Sequence, residues 1–238
     1  SGGVTWRDLC GKNDGTLTNF ANIDQAWKTQ GQPGGFGALA FDGTNDYVDA
    51  GAVQSLPLAT WSCWFRPSSI DQAAVLIARD DGSNRNFWTY LGTDEVIHGS
   101  AVVGGVARDT TGTTLYSVGE WMHVCSTYDG AALRLFINGQ NEGTTAAAGT
   151  IAADAINVAI GARTGGLDRH FDGDLSDVRI WSRALTSSEV QTYYDLSRRH
   201  YPGLLNRPSR RPAFVPSTGT TITPSTLSIS AALQGSPP

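Results

Sequence analysis

The sequence predicts an all-β fold, an antiparallel sandwich of two sheets, with one short helix near the C-terminus and an extended C-terminal arm. Short apolar or alternating segments recur at intervals of about 8–12 residues with turn signals between them, as in antiparallel sandwiches. Glycine is frequent, at 28 of 238 residues, and only 16% of residues are charged. Such a composition suits many tight turns, where glycine adopts positive φ without steric cost.

Charge divides the chain into two parts. After Asp195 the chain has five arginines and no acidic residue, so this part carries +5 and the rest, within a net charge of −5, carries −10. We therefore predict a domain over residues 1–196 and an arm over 197–238. No run of about 20 apolar residues occurs, so no membrane-spanning helix is expected. No signal-peptide pattern opens the chain.

The first strands are predicted around residues 39–49 and 60–66. In the first segment, LAFDGTNDYVD, apolar residues lie on both sides of a Gly-Thr-Asn-Asp turn. In the second, Trp61, Cys63 and Phe65 alternate with polar neighbours and with Trp64, which predicts two distinct strand faces.

Further strands are predicted at 73–78 and 86–91, which resemble the two halves of a hairpin. The segments 121–128 and 132–137 are typical of another hairpin, because Asp-Gly at 129–130 favours a type I′ turn between them. Asn-Gly at 138–139 predicts a second turn directly afterwards.

One helix is predicted after the last strand. Thr186 and Glu189 have the spacing of a capping box, in which the N-cap hydroxyl and the N3 carboxylate each accept a backbone hydrogen bond. The packed face of this helix is expected to contain Val190, Tyr193, Tyr194 and Leu196.

The three cysteines, Cys10, Cys63 and Cys125, show neither a disulfide framework nor a CxxC metal site. Cys63 and Cys125 fall in apolar strands, so we interpret them as buried free thiols. Pairing between them stays open if their strands face each other.

Taken together, these segments resemble the laminin G-like, concanavalin A-like lectin/glucanase superfamily of jelly rolls, in its bacterial and phage variety. The resemblance covers about residues 4–196 and is most specific in GEWMHVCSTYDGAALRLFINGQ (119–140) and in FDGDLSDVRIWSRALTSSEV (171–190). It implies a jelly roll that closes with a strand and a helix. Family members usually begin with one further strand before the segment matched at 7–19. We interpret that strand as lost, as lying upstream, or as donated by a partner chain.

Catalysis is not expected. Glycoside hydrolases need two carboxyl groups about 5–9.5 Å apart, and the four glutamates show no E-x-D-x-x-E pattern. The best acidic cluster is Asp172, Asp174 and Asp177, but Asp172-Gly173-Asp174 is typical of a turn. No motif of nucleophilic catalysis or phosphate binding occurs.

No cofactor is expected, with calcium as the alternative. The resemblance to pentraxins suggests oxygen ligands in rim loops, here Asp80 and Asp81 in one loop and Asp168 in a second. Arg163 lies in the second loop, where those relatives have acids, and would neutralise a cation site poorly. The competing interpretation is an ordinary solvated turn.

Glycan binding would need aromatic faces beside polar groups. Trp64, Trp88 and Tyr90 would supply them if their strand faces are exposed. Otherwise these rings pack a second layer or a subunit contact.

The arm is predicted to be an extended strap that binds partner subunits, including copies of the same chain. Proline disfavours helix in it, while its apolar residues would serve as anchors. Leu227, Ile229 and Ala231 alternate with serines, which predicts a strand added to a neighbour's sheet. Protein contact is favoured over nucleic acid for the arginines, because the chain as a whole is acidic. The partner-binding residues are predicted to be Arg198, Arg199, Tyr201, Leu204, Leu205, Arg207, Arg210, Arg211 and Phe214.

The favoured function is a non-catalytic, lectin-like structural or decoration module of a phage virion or similar surface assembly, anchored by this arm. The alternatives are a secreted or surface carbohydrate-binding module and a glycoside hydrolase. The expected location is the virion surface or the outside of a cell, with glycans as further partners and no membrane contact.

Overall fold

The computed structural model describes residues 5–8, 13–28, 37–70, 73–152 and 155–201, together with the backbone of 226–229. Two antiparallel sheets form a sandwich, which confirms the predicted all-β fold and the jelly-roll architecture. None of the helices in the described ranges is long and apolar enough to cross a membrane.

Within the described residues, the first sheet has eight strands. In spatial order they are β1 (Thr5–Trp6), β2 (Gly15–Thr18), β5 (Tyr47–Ala52), β14 (Asn157–Ile160), β7 (Ala74–Asp80), β8 (Arg85–Leu91), β9 (Val96–Val103) and β10 (Val106–Leu115).

The second sheet lies against the first. In spatial order its strands are β13 (Gln140–Ala146), β12 (Ala132–Ile137), β11 (Met122–Tyr128), β6 (Ala59–Pro67), β15 (Asp172–Trp181), β4 (Ala38–Asp42) and β3 (Trp27–Lys28), and β16 (Thr226–Ile229) also pairs with β15. The short helix α1 (Ile23–Ala26) precedes β3.

The core lies between the sheets, and β6 shows how the sequence places it. Trp61, Cys63 and Phe65 face the core and are fully buried, as their alternation predicts. The Trp61 ring stacks on Phe87 of the opposite sheet with centroids 4.6 Å apart, and its indole N–H donates to Thr89 Oγ1 at 2.8 Å. Burial of one such apolar side chain stabilises a fold by about 1.5–3 kcal/mol.

The two hairpin turns differ from one another. At Asn138-Gly139 both residues have positive φ, as a type I′ turn requires. At Asp129-Gly130 only Gly130 has positive φ, so the predicted type I′ turn is wrong there. Instead, the Asp129 carboxylate accepts the backbone N–H groups of Ala131 and Ala132, at 3.0 and 2.8 Å, and itself closes the turn.

The C-terminal helix α2 (Ser187–Ser197) begins with the predicted capping box of Thr186 and Glu189. It is followed by a single 3₁₀ turn at Arg198–His200. Val190 is buried as expected, but Leu196 is exposed, which corrects the predicted packing face. Ser197 is buried one residue further on, because its hydroxyl accepts from the Trp64 indole at 3.1 Å.

Cys63 and Cys125 are free and buried, on the neighbouring strands β6 and β11. Cys63 faces the core between the sheets, whereas Cys125 belongs to the cluster on the other side of its sheet. Because their side chains leave the sheet in opposite directions, a disulfide between them would need a different strand geometry. Cys10 lies outside the described residues.

Candidate functional site

The outer side of the first sheet carries a group of aromatic and polar side chains that face away from the core. On β8, Phe87 and Leu91 lie in the core, so Trp88 and Tyr90 project from the opposite side. We call this surface the open face. Its members on the strands are Trp88, Tyr90, His98, Ser100, Asp109 and Thr111.

Strand register arranges these residues in two rows across β8, β9 and β10. In the first row, Trp88 pairs with Ser100, and Ser100 pairs with Asp109. Directly paired side chains on one sheet face lie about 4.5–5.5 Å apart. The aromatic end of the row is therefore adjacent to its polar end, and the Ser100 hydroxyl donates to the Asp109 carboxylate.

The second row contains Tyr90, His98 and Thr111. The His98 ring stacks on Tyr90, with centroids 4.6 Å apart and planes 8° from parallel. The ring nitrogens of His98 are held on both sides, with Asp94 Oδ1 3.2 Å from Nε2 and Thr111 Oγ1 3.2 Å from Nδ1. The hydrogen bond from His98 lowers the pKa of Asp94.

Gly92 leaves room for this arrangement. A Cβ at this position would collide with the Asp94 carboxylate, and it would lie 2.7 Å from His98 Nε2. A larger residue at this position would therefore have to displace the Asp94 carboxylate from the imidazole.

Two arginines border the open face. The Arg85 guanidinium carbon lies 4.2 Å from the Trp88 ring centroid, and that of Arg169 lies 5.8 Å from the Tyr90 centroid. Within the described residues, no carboxylate forms an ion pair with Arg169, and its backbone is anchored where its C=O accepts from Val75 N at 2.9 Å. Desolvation raises the pKa of Tyr90, and the charge of Asp109 adds to this effect.

Exposure differs among the three predicted glycan-binding aromatics. Tyr90 is partly exposed, whereas Trp88 is only 6% exposed because it is flanked by its neighbours and overlain by Arg85. Trp64 is fully buried. The condition of an exposed strand face therefore fails at Trp64, and on the open face the Trp88 ring is itself buried, so of the three rings only Tyr90 is partly exposed.

The reason is that the outer side of the second sheet, which we call the covered face, lies beneath the C-terminal helix and the turn after it. Trp64 stacks on Tyr201 at 4.0 Å and on Tyr194 at 5.6 Å, and it contacts His123 at 5.2 Å. Trp64 therefore packs a second layer on the outside of its sheet, which is the alternative to glycan binding.

His123 is the unusual member of the covered face. It is completely buried, and neither ring nitrogen has a hydrogen-bond partner among the described residues. Burial, with a contribution from the charge of Arg179, lowers the pKa of His123 to about 3. The imidazole is therefore neutral at ordinary pH.

The loops predicted to bind calcium carry an internal cation. Arg163 Nη2 lies 3.4 Å from Asp80 Oδ1, and Arg163 Nη1 lies 3.2 Å from Asp168 Oδ2. Arg85 Nε lies 3.2 Å from the other oxygen of Asp80, which is buried. Two guanidinium groups thus neutralise the carboxylate that a cation would require.

Asp81 forms local hydrogen bonds instead. Its carboxylate accepts the backbone N–H groups of Ser83 and Asn84, at 2.9 and 2.6 Å, and these bonds lower its pKa. In the described part of the chain, no group of three or more His, Cys, Asp or Glu side chains is placed to hold a metal.

The acidic cluster of β15 is also committed to internal contacts. The segment 172–174 continues the strand, so the predicted turn is wrong. Asp174 Oδ2 lies 2.6 Å from Arg66 Nη2, and Asp177 Oδ1 lies 2.7 Å from Arg179 Nε. Asp177 also accepts from the Tyr193 hydroxyl. Asp174 and Asp177 are thus each paired with an arginine of the same sheet.

The predicted arm begins within the packed domain. Tyr201 is 1% exposed and its hydroxyl donates to Ser176 Oγ at 3.0 Å, so it binds its own domain and not a partner. Arg198 lies 3.4 Å from Asp195, whereas Arg199 is exposed. The remaining predicted anchors lie outside the described residues, namely Leu204, Leu205, Arg207, Arg210, Arg211 and Phe214.

Sequence reasoning missed several residues of the open face. His98 and Ser100 could have been found, because they alternate with the core residues Ile97 and Ala101 along β9. Arg169 could not, because it comes from a loop whose approach to Tyr90 depends on the folded chain.

A family model described as the concanavalin A-like lectin/glucanases superfamily matches residues 42–191. None of the curated proteins compared with the chain matches it.

Solved structures share the fold at low sequence identity. Domain 4 of a GH43 extracellular arabinanase from Geobacillus stearothermophilus, in complex with arabinotriose, is 20% identical, with a TM-score of 0.60 over 77% of this chain and 90% of that one. A native heptameric SAP-like pentraxin from Limulus polyphemus is also 20% identical, with a TM-score of 0.54 over 66% of this chain and 81% of that one. A putative carbohydrate binding protein from Bacteroides ovatus is 18% identical, with a TM-score of 0.53 over 67% of this chain and 47% of that one.

Proposed function

Because the chain belongs to the concanavalin A-like lectin/glucanase superfamily, we propose that it is a non-catalytic module that binds glycans on its open face. The observation that carries this proposal is the pair of rows that set Trp88 and Tyr90 beside Ser100, Asp109, His98 and Thr111.

The chemistry of the rows suits a sugar. Aromatic rings provide apolar area for the C–H groups of a pyranose or furanose ring, and nearby polar groups select its hydroxyls. Tyr90 supplies the ring, while His98 is already oriented by Asp94 and Thr111. Arg169 adds a donor with no acid partner in the described part of the chain. Similar folds in a domain solved with arabinotriose and in a putative carbohydrate binding protein support the proposal.

The test begins with a glycan array on the full chain, followed by calorimetry on the glycans that bind. Tyr90→Ala should weaken binding at least about tenfold, or roughly 1.4 kcal/mol, because it removes the partly exposed ring. Arg169→Ala should also weaken binding. Arg199→Ala is the matched control, an exposed arginine beyond α2, and it should leave affinity unchanged.

Two results would contradict the proposal. Binding that survives both Tyr90→Ala and Arg169→Ala would move the site elsewhere. Release of sugar from a bound glycan, abolished by Asp172→Asn or Asp174→Asn, would establish hydrolysis in place of simple recognition.

A second role, in assembly, is suggested by the charge of the arm, which carries five arginines and no acidic residue beside a domain of net charge −10. The strand predicted to join a neighbour's sheet pairs here, at Thr226–Ile229, with β15 of the same chain. We infer that the arm serves to attach this module to other subunits, as in a virion or a comparable surface assembly outside the cell. In its most specific form, this inference is that the module decorates the surface of a virion.

A further inference from the structure

The C-terminal strand β16 pairs with one edge of β15, along a stretch of that edge that β4 does not reach. One edge of β15 pairs with β6 as far as Trp181, and the other edge pairs with β4 only over Asp172–Ser176. Beyond a bulge at Asp177, Val178–Trp181 on that second edge pairs with Thr226–Ile229. We call Val178–Trp181 the acceptor edge. Within the described residues, β16 is the strand that covers it.

Both ends of the segment that connects Tyr201 to β16 lie beside β15. The Tyr201 hydroxyl bonds Ser176, and Thr226 pairs with Trp181, so the start and end of the intervening segment lie at most about 35 Å apart along β15. The 24 residues between them, 202–225, span up to about 80 Å when extended. The connection is therefore much longer than self-pairing requires.

The composition of residues 202–225 disfavours a compact connection back to the same copy. Five of these 24 residues are proline, and proline-rich linkers are semi-rigid spacers that favour extended conformations. They also contain three arginines and no acid. The net charge of −10 on residues 1–195 attracts such a segment from a neighbouring copy as well as from its own.

We propose that residues 226–229 of one copy pair with the acceptor edge of a second copy, so that the chains exchange C-terminal strands. Exchange of an identical element preserves every hydrogen bond of the self-paired strand and is a low-cost route to oligomers. This proposal rests on the proposed assembly role of the arm and not on glycan binding.

Cysteine pairs at matched register test this exchange. Val178 and Ile229 are direct cross-strand partners, and such positions approach the Cβ separation of a disulfide. Full-length Val178→Cys and Ile229→Cys chains, each also carrying Cys10→Ser, are produced together in one culture, oxidised and separated by non-reducing denaturing electrophoresis. Cys63 and Cys125 are buried and stay unchanged.

Exchange predicts a disulfide-linked dimer from the two single variants, and dimers or larger species from one chain that carries both cysteines. Self-pairing predicts only an internally linked monomer from that double variant and no dimer from the mixture, which would overturn the proposal. Val178→Cys with Leu227→Cys, two residues out of register, is the matched control and should link much less.

Light scattering separates exchange from the wider assembly role. The full chain should be a defined oligomer, and a chain that ends at Ser225, which retains all five arginines but lacks the strand, should be a monomer. If the shorter chain keeps the full oligomer mass, the arm assembles through other contacts and strand exchange is wrong.

Discussion

The two outer faces of the sandwich carry similar residues in different environments. Each carries a tryptophan, a tyrosine and a histidine. On the covered face Trp64 contacts both Tyr201 and His123, and on the open face His98 stacks on Tyr90, with Trp88 on the same strand. On the covered face these rings are buried, whereas on the open face the tyrosine and histidine are partly exposed.

What distinguishes the faces is the chain that lies over them. Helix α2 and Tyr201 close the second sheet and turn its outer aromatics into a second core. On the first sheet, side chains of Arg85 and Arg169 lie over the aromatic rings instead. Arg169 is exposed, so a ligand can displace it more easily than it can displace a packed helix, whereas Arg85 is also held by Asp80.

Replacing one tyrosine on each face should give the largest contrast. Tyr201→Ala removes the 4.0 Å stack on Trp64 and the bond to Ser176, and should lower the free energy of unfolding by about 3–5 kcal/mol. Tyr90→Ala should cost less than about 1 kcal/mol, since surface changes are usually small. Urea denaturation of both variants measures the difference. Equal losses would show that the two faces do not differ as described.

The burial of Tyr201 also determines where the chain can be truncated without exposing the covered face. A chain ending at Leu196, at the predicted boundary, would lose Ser197 and Tyr201, which hold Trp64. Ending the chain after Tyr201 keeps the covered face complete. Only then does a change in oligomer mass report on the arm itself.

The sequence predicted the strands and the C-terminal helix, but it did not predict which outward-facing side chains are covered. Alternation on β6 correctly placed Trp64 opposite Trp61, and the capping box at Thr186 correctly placed the helix start. Neither pattern shows what covers an outward ring, because Trp64 is covered by Tyr201, a residue far along the chain. The sequence likewise shows that Arg163 lies in the second candidate calcium loop. Its position between the carboxylates of Asp80 and Asp168 depends on the folded chain and could not be derived from the sequence.

The buried histidine of the covered face should make stability depend on pH. The pKa of His123 is about 3 in the folded chain and about 6.5 in the unfolded chain. Between these values the unfolded state binds more protons, so the free energy of unfolding falls as the pH decreases below about 6.5, by up to about 1.4 kcal/mol per pH unit. His98 is the matched residue on the open face.

Denaturant titrations at pH 7, 6 and 5 measure this dependence. His123→Gln should flatten the loss of stability on acidification, whereas His98→Gln should leave that part of the slope in place. A slope that His123→Gln does not alter would mean that the imidazole accepts a proton inside the fold.

The smallest effect is expected at the rim of the open face, where added calcium should not change stability. Arg163 and Arg85 already neutralise Asp80, so a calcium ion would have to displace a guanidinium or sit against it. A native-state site with a dissociation constant near 1 mM would raise the free energy of unfolding by about 1.4 kcal/mol at 10 mM calcium. Thermal unfolding of chelator-treated protein, with and without 10 mM calcium, should therefore give equal midpoints. A rise with calcium that magnesium does not reproduce would restore the loops of Asp80 and Asp168 as a metal site, and glycan binding would then have to be measured again with the ion present.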